Sequence, residues 1–126
     1  TDVDNSTSQG NTKWNTNGGK NTQDMIFLLS YAEANKYLGV TYDDHENTKS
    51  RVAPTAYTLK QGAYTSSKYK TVDGTAAGWW WLRSSGLNQD AAAYVNFDGS
   101  VRDSGVSREV AVVRPALWIN LESDIF

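Results

Sequence analysis

Hydrophobic and polar positions divide this chain into three stretches. Residues Thr1 to Gln23 are almost entirely polar, with Trp14 the one large apolar side chain. Such composition predicts loop, with Trp14 pinning the segment to the body. A polar opening this long is unusual in a complete domain and leads us to expect a fragment of a longer chain. The apolar run Met25 to Leu29 then predicts a buried strand. Ser30-Tyr-Ala-Glu33 is a capping box, in which the Ser30 hydroxyl accepts from the Glu33 amide and Glu33 reaches back to the Ser30 amide. With Gly39 placed to stop it, this predicts a helix over Tyr31 to Leu38. Tyr42 to Ser50 reads as a charged loop. Pro54, in a first-turn position, introduces a second short helix from Ala56 to Gln61, closed by Gly62. Ala63 to Ala77 reads as loop with a turn at Asp73-Gly74.

The last stretch alternates. Gly78 to Arg83 and Ala91 to Phe97 predict strands; Asp98-Gly99 predicts a hairpin turn, and Ser100 to Asp103 the returning strand. Val110 to Leu121 is apolar but broken by Pro115, giving two strands or one with an edge or bulge. Two small helices followed by short antiparallel strands make an α+β domain spanning residues 1–126. Trp80, Leu82, Val112 and Trp118 are expected to share its core.

Composition changes this picture only by exclusion. The 12% aromatic content argues against disorder. A formal net charge of −2 argues against a general nucleic-acid-binding face. No apolar run approaches a membrane span. Cysteine is absent, which excludes disulfides, thiol nucleophiles and zinc–thiolate sites.

Four motifs in order carry a family resemblance: Phe27-Leu-Leu-Ser30 with Ala32-Glu-Ala34; Trp80-Trp-Leu-Arg-Ser84; Ala93-Tyr-Val-Asn96 with Asp98-Gly-Ser100; and Val113-Arg-Pro-Ala-Leu-Trp118. Together they resemble a family of bacterial domains from gut Firmicutes surface proteins and their phages. That resemblance implies a C-type-lectin-like fold of the formylglycine-generating-enzyme type, and a location at the cell surface, outside the cell or on a phage particle. It also invites comparison with variable proteins of diversity-generating retroelements, whose C-terminal segment is diversified at template adenines. Asn codons mutated at adenine yield Asp, Ser, Tyr, Phe, Leu, Val and Arg, but never Lys, Glu, Gln, Met or Trp. Between Ser84 and Val110 the chain has no Lys, Met or Trp, although Gln89 and Glu109 fall outside the permitted set.

Several side chains invite chemistry. Trp79-Trp80-Trp81 on a strand places the outer two on one face and the middle one on the other, either as an aromatic platform or as core. Arg83 and Arg114, charges within apolar strands, suit anion capture or structural pairing. Asp43-Asp-His45-Glu46 offers metal-ligating types, yet they are consecutive and His45 is the only histidine, which favours a solvated loop. Asp2-Val-Asp-Asn5 lacks the rest of an EF-hand loop, and the Glu-Pro-Asn and Trp-Asn-Asp signatures of calcium-dependent sugar binding are missing. No nucleophile elbow, P-loop or Rossmann glycine pattern occurs. The copper–thiolate chemistry of formylglycine-generating enzymes is impossible without cysteine. No metal, cofactor or catalytic residue is therefore assigned.

The remaining candidate is the mixed aromatic and polar stretch Ser84 to Arg108, which resembles an antibody paratope in composition. Its candidate binding residues are Ser85, Leu87, Asn88, Asp90, Tyr94, Phe97, Arg102, Asp103, Ser104, Val106, Ser107 and Arg108. Leu87, Tyr94, Phe97, Arg102, Asp103 and Arg108 are expected to be exposed and clustered. The reading is a non-catalytic module binding a protein or other macromolecule; a glycan-binding adhesin module and a surface hydrolase are the alternatives.

Overall fold

The computed structural model describes residues 1–10, 14, 16–119 and 121. Parts of the polar opening (residues 11–13 and 15) and of the last apolar run (Asn120) lie outside the described residues. The fold is a small α+β arrangement built around a three-stranded antiparallel sheet, with strands β6 (Trp80–Ser85), β7 (Ala91–Val95) and β8 (Val101–Gly105) in that order. The β7–β8 hairpin keeps regular register from Ala91 opposite Gly105 to Val95 opposite Val101. The β6–β7 pair is bulged between Trp81 and Ser85.

Strand periodicity sends alternate side chains to opposite faces. Trp80, Leu82, Ala93, Val95 and Val101 thus enter the core, where they meet Trp14, Ala34, Val40 and Val112. Trp79 and Trp81 stay half-buried on the other side. Helix α1 (Tyr31–Leu38) covers the core as its pattern predicts, starting at Ser30 and ending at Gly39 with φ 70°. The capping box forms only by half. Ser30 Oγ accepts from the Glu33 amide at 3.1 Å, but the Glu33 carboxylate turns to Arg83 instead of the Ser30 amide. An ion pair with a guanidinium is worth more to a partly buried carboxylate than one backbone donor. Ser30 Oγ also donates to Gln9 Oε1 at 2.8 Å, so the cap ties the opening segment to the helix. Ser30→Ala should therefore cost about 1–2 kcal/mol, read as a lower midpoint in urea with an unchanged slope.

Other expectations need correction. The opening segment is not simply loop: β1 (Asp2–Val3) pairs with β2 (Thr22–Gln23). Trp14 does pin it, buried against Tyr42 in an edge contact at 5.9 Å. The strand expected over Met25 to Leu29 shrinks to β3 (Phe27–Leu28), and Met25 is 86% exposed. Helix α2 (Ala56–Lys60) is capped by Thr55, which puts Pro54 before the cap rather than in the first turn. The loop expected over Ala63 to Ala77 holds a hairpin, β4 (Thr65–Lys70) with β5 (Ala76–Gly78). Its turn does lie at Asp73-Gly74, with the Gly74 amide donating to the Thr71 carbonyl. The final run is two pieces: a bridge from Val112 to Trp80, and β9 (Pro115–Ala116) paired with β3. Trp118 follows β9 and is 55% exposed, so it leaves the core expected for it, whereas Trp80, Leu82 and Val112 are buried as expected. The reason is the short β9, which peels away from the central sheet to pair with β3 at the periphery.

Candidate functional site

Both ends of the β7–β8 hairpin are held by networks of polar contacts. At the turn, Asp98 Oδ1 accepts from the Ser100 amide at 2.9 Å and the Ser100 hydroxyl at 2.7 Å, while Oδ2 meets His45 Nδ1 at 2.9 Å. Arg51 donates from Nε to the Asp98 carbonyl and from Nη2 to the His45 carbonyl. The acidic stretch around His45 is thus a tether for the turn, and among the described residues no cluster of metal-ligating side chains forms. Burial works to raise the Asp98 carboxyl, but the Ser100 donors and His45 outweigh it and hold the group below the usual carboxylate range. A depressed native value stabilises the fold above the ordinary Asp value of about 3.9, and that contribution disappears as pH falls through the native value. Asp98→Asn should lower stability at neutral pH and flatten its decline below about pH 4; denaturant midpoints from pH 2 to pH 7 would check this.

The opposite end carries the candidate surface. The loop after β6 (residues 86–90) and the loop after β8 (residues 106–109) lie side by side because Val106 donates its amide to the Asp90 carbonyl at 3.0 Å. Asp103, contrary to the exposure expected for it, is half-buried on β8 because its carboxylate turns back to accept the Leu87 amide at 2.9 Å. Gly86 is required at that junction: a Cβ there would lie 2.6 Å from the Asp103 Cβ. Asn88 Oδ1 caps its own turn by accepting from the Asp90 amide at 3.0 Å. Gln89 and Ser85 both donate to the Asn17 carbonyl, bringing the opening segment against the loop. Leu87 is 68% and Val106 62% exposed, with Asn88, Asp90, Ser107 and Arg108 also open to solvent. Ser104 is half-buried on β8.

The remaining candidates do not join this surface. Tyr94 is buried at 7% exposure and Phe97 is half-buried, contrary to the expected exposure. Both pack on Trp79: Tyr94 is stacked with centroids 4.6 Å apart and Phe97 is tilted at 5.6 Å. Tyr64 meets the same ring edge-on, and Arg108 lies over it with its Cζ 5.3 Å from the centroid. This is a second small core on the outer sheet face. Burial pushes the Tyr94 phenol up, and the nearby Arg102 and Arg108 only partly counter it. Arg102 is also corrected: its Nη1 donates to the Tyr42 carbonyl at 2.8 Å and its guanidinium lies over the Tyr42 ring, so it fastens β8 to the neighbouring segment. Periodicity alone could have flagged Tyr94, which shares the Trp81 side of the sheet. Gln89 and Glu109, set aside on codon grounds, are exposed within the loops.

Arg83 settles as a structural residue. It donates to the Leu28 carbonyl, the Asp4 carbonyl and Asn5 Oδ1, and pairs with Glu33.

A family profile described as Domain of unknown function (DUF6273) matches residues 1–121. The chain belongs to the DUF6273 family. No curated protein and no solved structure matches it. The match covers β1 through β9 and both loops of the candidate surface, so the polar opening segment is part of the DUF6273 domain rather than an appendage. Among the described residues of this domain, no helix is long and apolar enough to cross a membrane.

Proposed function

We propose that this DUF6273 domain is a non-catalytic binding module of C-type-lectin-like type. It engages a protein or other macromolecular target through residues 86–90 and 106–109 and is diversified there by a retroelement. The observation that carries the reading is two exposed aliphatic side chains, Leu87 and Val106, on loops joined by the Val106 amide to the Asp90 carbonyl and steadied by the Leu87 amide on Asp103. Exposed apolar groups on rigidly held loops, ringed by Asn, Asp, Ser and Arg, are the composition of an adaptable recognition surface. The only histidine is committed to Asp98 at the far end of the hairpin, which supports a role without catalysis.

Tyr94, Phe97 and Arg102 are assigned to the scaffold and not to the target. The adhesin alternative relied on an open Trp platform. Trp79 is instead engaged by Tyr94, Phe97 and Arg108, so the loop surface is the better-supported site.

Comparison of alleles of this gene from related bacteria or phages tests the reading. Substitutions should concentrate at positions 87, 88, 90 and 106–108 in adenine-derived codons, while Trp80, Leu82, Ala93, Val95 and Val101 stay constant. Loops as invariant as the core would overturn it. A glycan array with and without calcium separates the sugar-binding alternative. Replacing Leu87 and Val106 together by Ser should leave the melting curve nearly unmoved, since each exposed change is worth within about 0.5 kcal/mol. The same pair should abolish capture of a target found by screening, because few anchors dominate binding.

A further inference from the structure

A separate region of the molecule presents a groove of about 260 Å³ between α1 and the β3–β9 pair. Its lining is apolar, with Phe27, Leu29, Leu38 and Leu117 among the walls. Tyr37 and Trp118 meet edge-to-face at 5.9 Å and form one side. Among the described residues, Arg114 is the one charged member of the lining. Its guanidinium lies over the Trp80 ring with Cζ 4.9 Å from the centroid. Its Nη1 is buried and has no hydrogen-bond partner among the described residues.

Arg83 shows what a structural arginine looks like in this fold: its donors are spent on carbonyls, an amide oxygen and a carboxylate. Among the described residues, Arg114 has none of these. Burial alone lowers its pKa, with no acid acting on it among the described residues. A guanidinium without an acidic partner leaves an uncompensated charge at an apolar wall, and an anion that brings its own apolar body balances it. We propose that this groove is a binding site for a small apolar monocarboxylate, its carboxylate held by Arg114 and its hydrocarbon body resting against Phe27, Leu38 and Trp118.

The chemistry follows from the walls. A single guanidinium matches the charge of one carboxylate and its fork geometry; a phosphate dianion calls for more donors than one arginine supplies here. The volume lies near the lower end for small-molecule sites, roughly 300–1,000 Å³. It suits a short alkyl chain or one aromatic ring rather than a macromolecule. The site is independent of the 86–109 loops.

Titration of the ¹⁵N-labelled 126-residue chain with octanoate, and in parallel with 1-octanol, tests the proposal. Octanoate should saturably shift the Trp118 indole and the amides of Phe27, Leu29 and Ala116, leaving Leu87 and Val106 unmoved. The alcohol should bind roughly tenfold more weakly, the loss expected for one charge-assisted contact. Arg114→Gln should erase that difference, and Ala116→Leu should weaken both ligands by filling the groove. Equal affinity for acid and alcohol, no saturable shift with octanoate, or an acid preference surviving in Arg114→Gln would each overturn it. The acid–alcohol comparison in the unaltered chain decides the matter even if a variant fails to fold.

Discussion

Trp80→Ala is expected to destabilise this domain by about 3–5 kcal/mol, the range for truncating a large buried aromatic. Trp80 is fully buried and sits at the convergence of the central sheet, the Val112 bridge and the Arg114 guanidinium. Its Nε1 donates to the Ser50 carbonyl at 2.9 Å, so truncation leaves that buried acceptor without its partner as well as opening a cavity. A domain of this size should lose about 10 °C or more in melting temperature. Trp118→Ala makes the internal comparison. The two tryptophans have similar sequence surroundings, yet Trp118 is half-exposed, and its removal should cost under about 1 kcal/mol. Calorimetry of both variants checks the pair. Equal losses would show that the core extends beneath Trp118.

The second large effect is expected at Gly99. Its φ of 93° lies in the left-handed region, and a Cβ would sit 2.3 Å from the Asn47 carbonyl oxygen and 2.9 Å from Ser50 Oγ. The first of these contacts is to backbone, which cannot rotate away. Gly99→Ala therefore combines a conformational penalty of about 1–2 kcal/mol with overpacking of about 1–3 kcal/mol. The turn is also held from several sides: the Gly99 amide donates to the Asn96 carbonyl, and Ser50 Oγ donates to the Gly99 carbonyl. Gly74, with φ 78° and nothing within 4 Å of its virtual Cβ, isolates the conformational part. Gly74→Ala should cost only about 1 kcal/mol. Denaturant midpoints of the two variants should differ by the overpacking alone. A Gly99→Ala protein no less stable than Gly74→Ala would mean that the 47–50 segment yields easily.

Both sites converge on Ser50. It takes the Trp80 indole on its carbonyl and reaches the Gly99 carbonyl with its hydroxyl, fully buried in the process. No periodicity marks this residue, because it lies in a charged stretch and earns its burial from two partners distant in sequence.

Local signals were decisive where a structure depends on neighbours along the chain. The Ser30 cap, the helix to Leu38, the Gly39 stop, the Asp98-Gly99 turn and the alternation across Trp79 to Trp81 all follow from backbone geometry within a few residues. The α+β class and the candidate loops were legible for that reason. The sequence by itself also determined that no thiol chemistry exists here. Only the tertiary structure decided which aromatic residues are scaffold. Tyr94, Phe97 and Trp79 form a second core because the 105–112 segment returns along β6, with Val112 bridging to Trp80 and Arg108 coming to rest on Trp79. It likewise separated two arginines of like surroundings, pairing Arg83 with Glu33 and leaving Arg114 in an apolar groove. The hairpin at 65–78 escaped because its residues are mostly exposed and polar, so no buried face imposes a two-residue alternation. Burial depends on which distant segments meet, and that is a property of the folded chain rather than of any window along it.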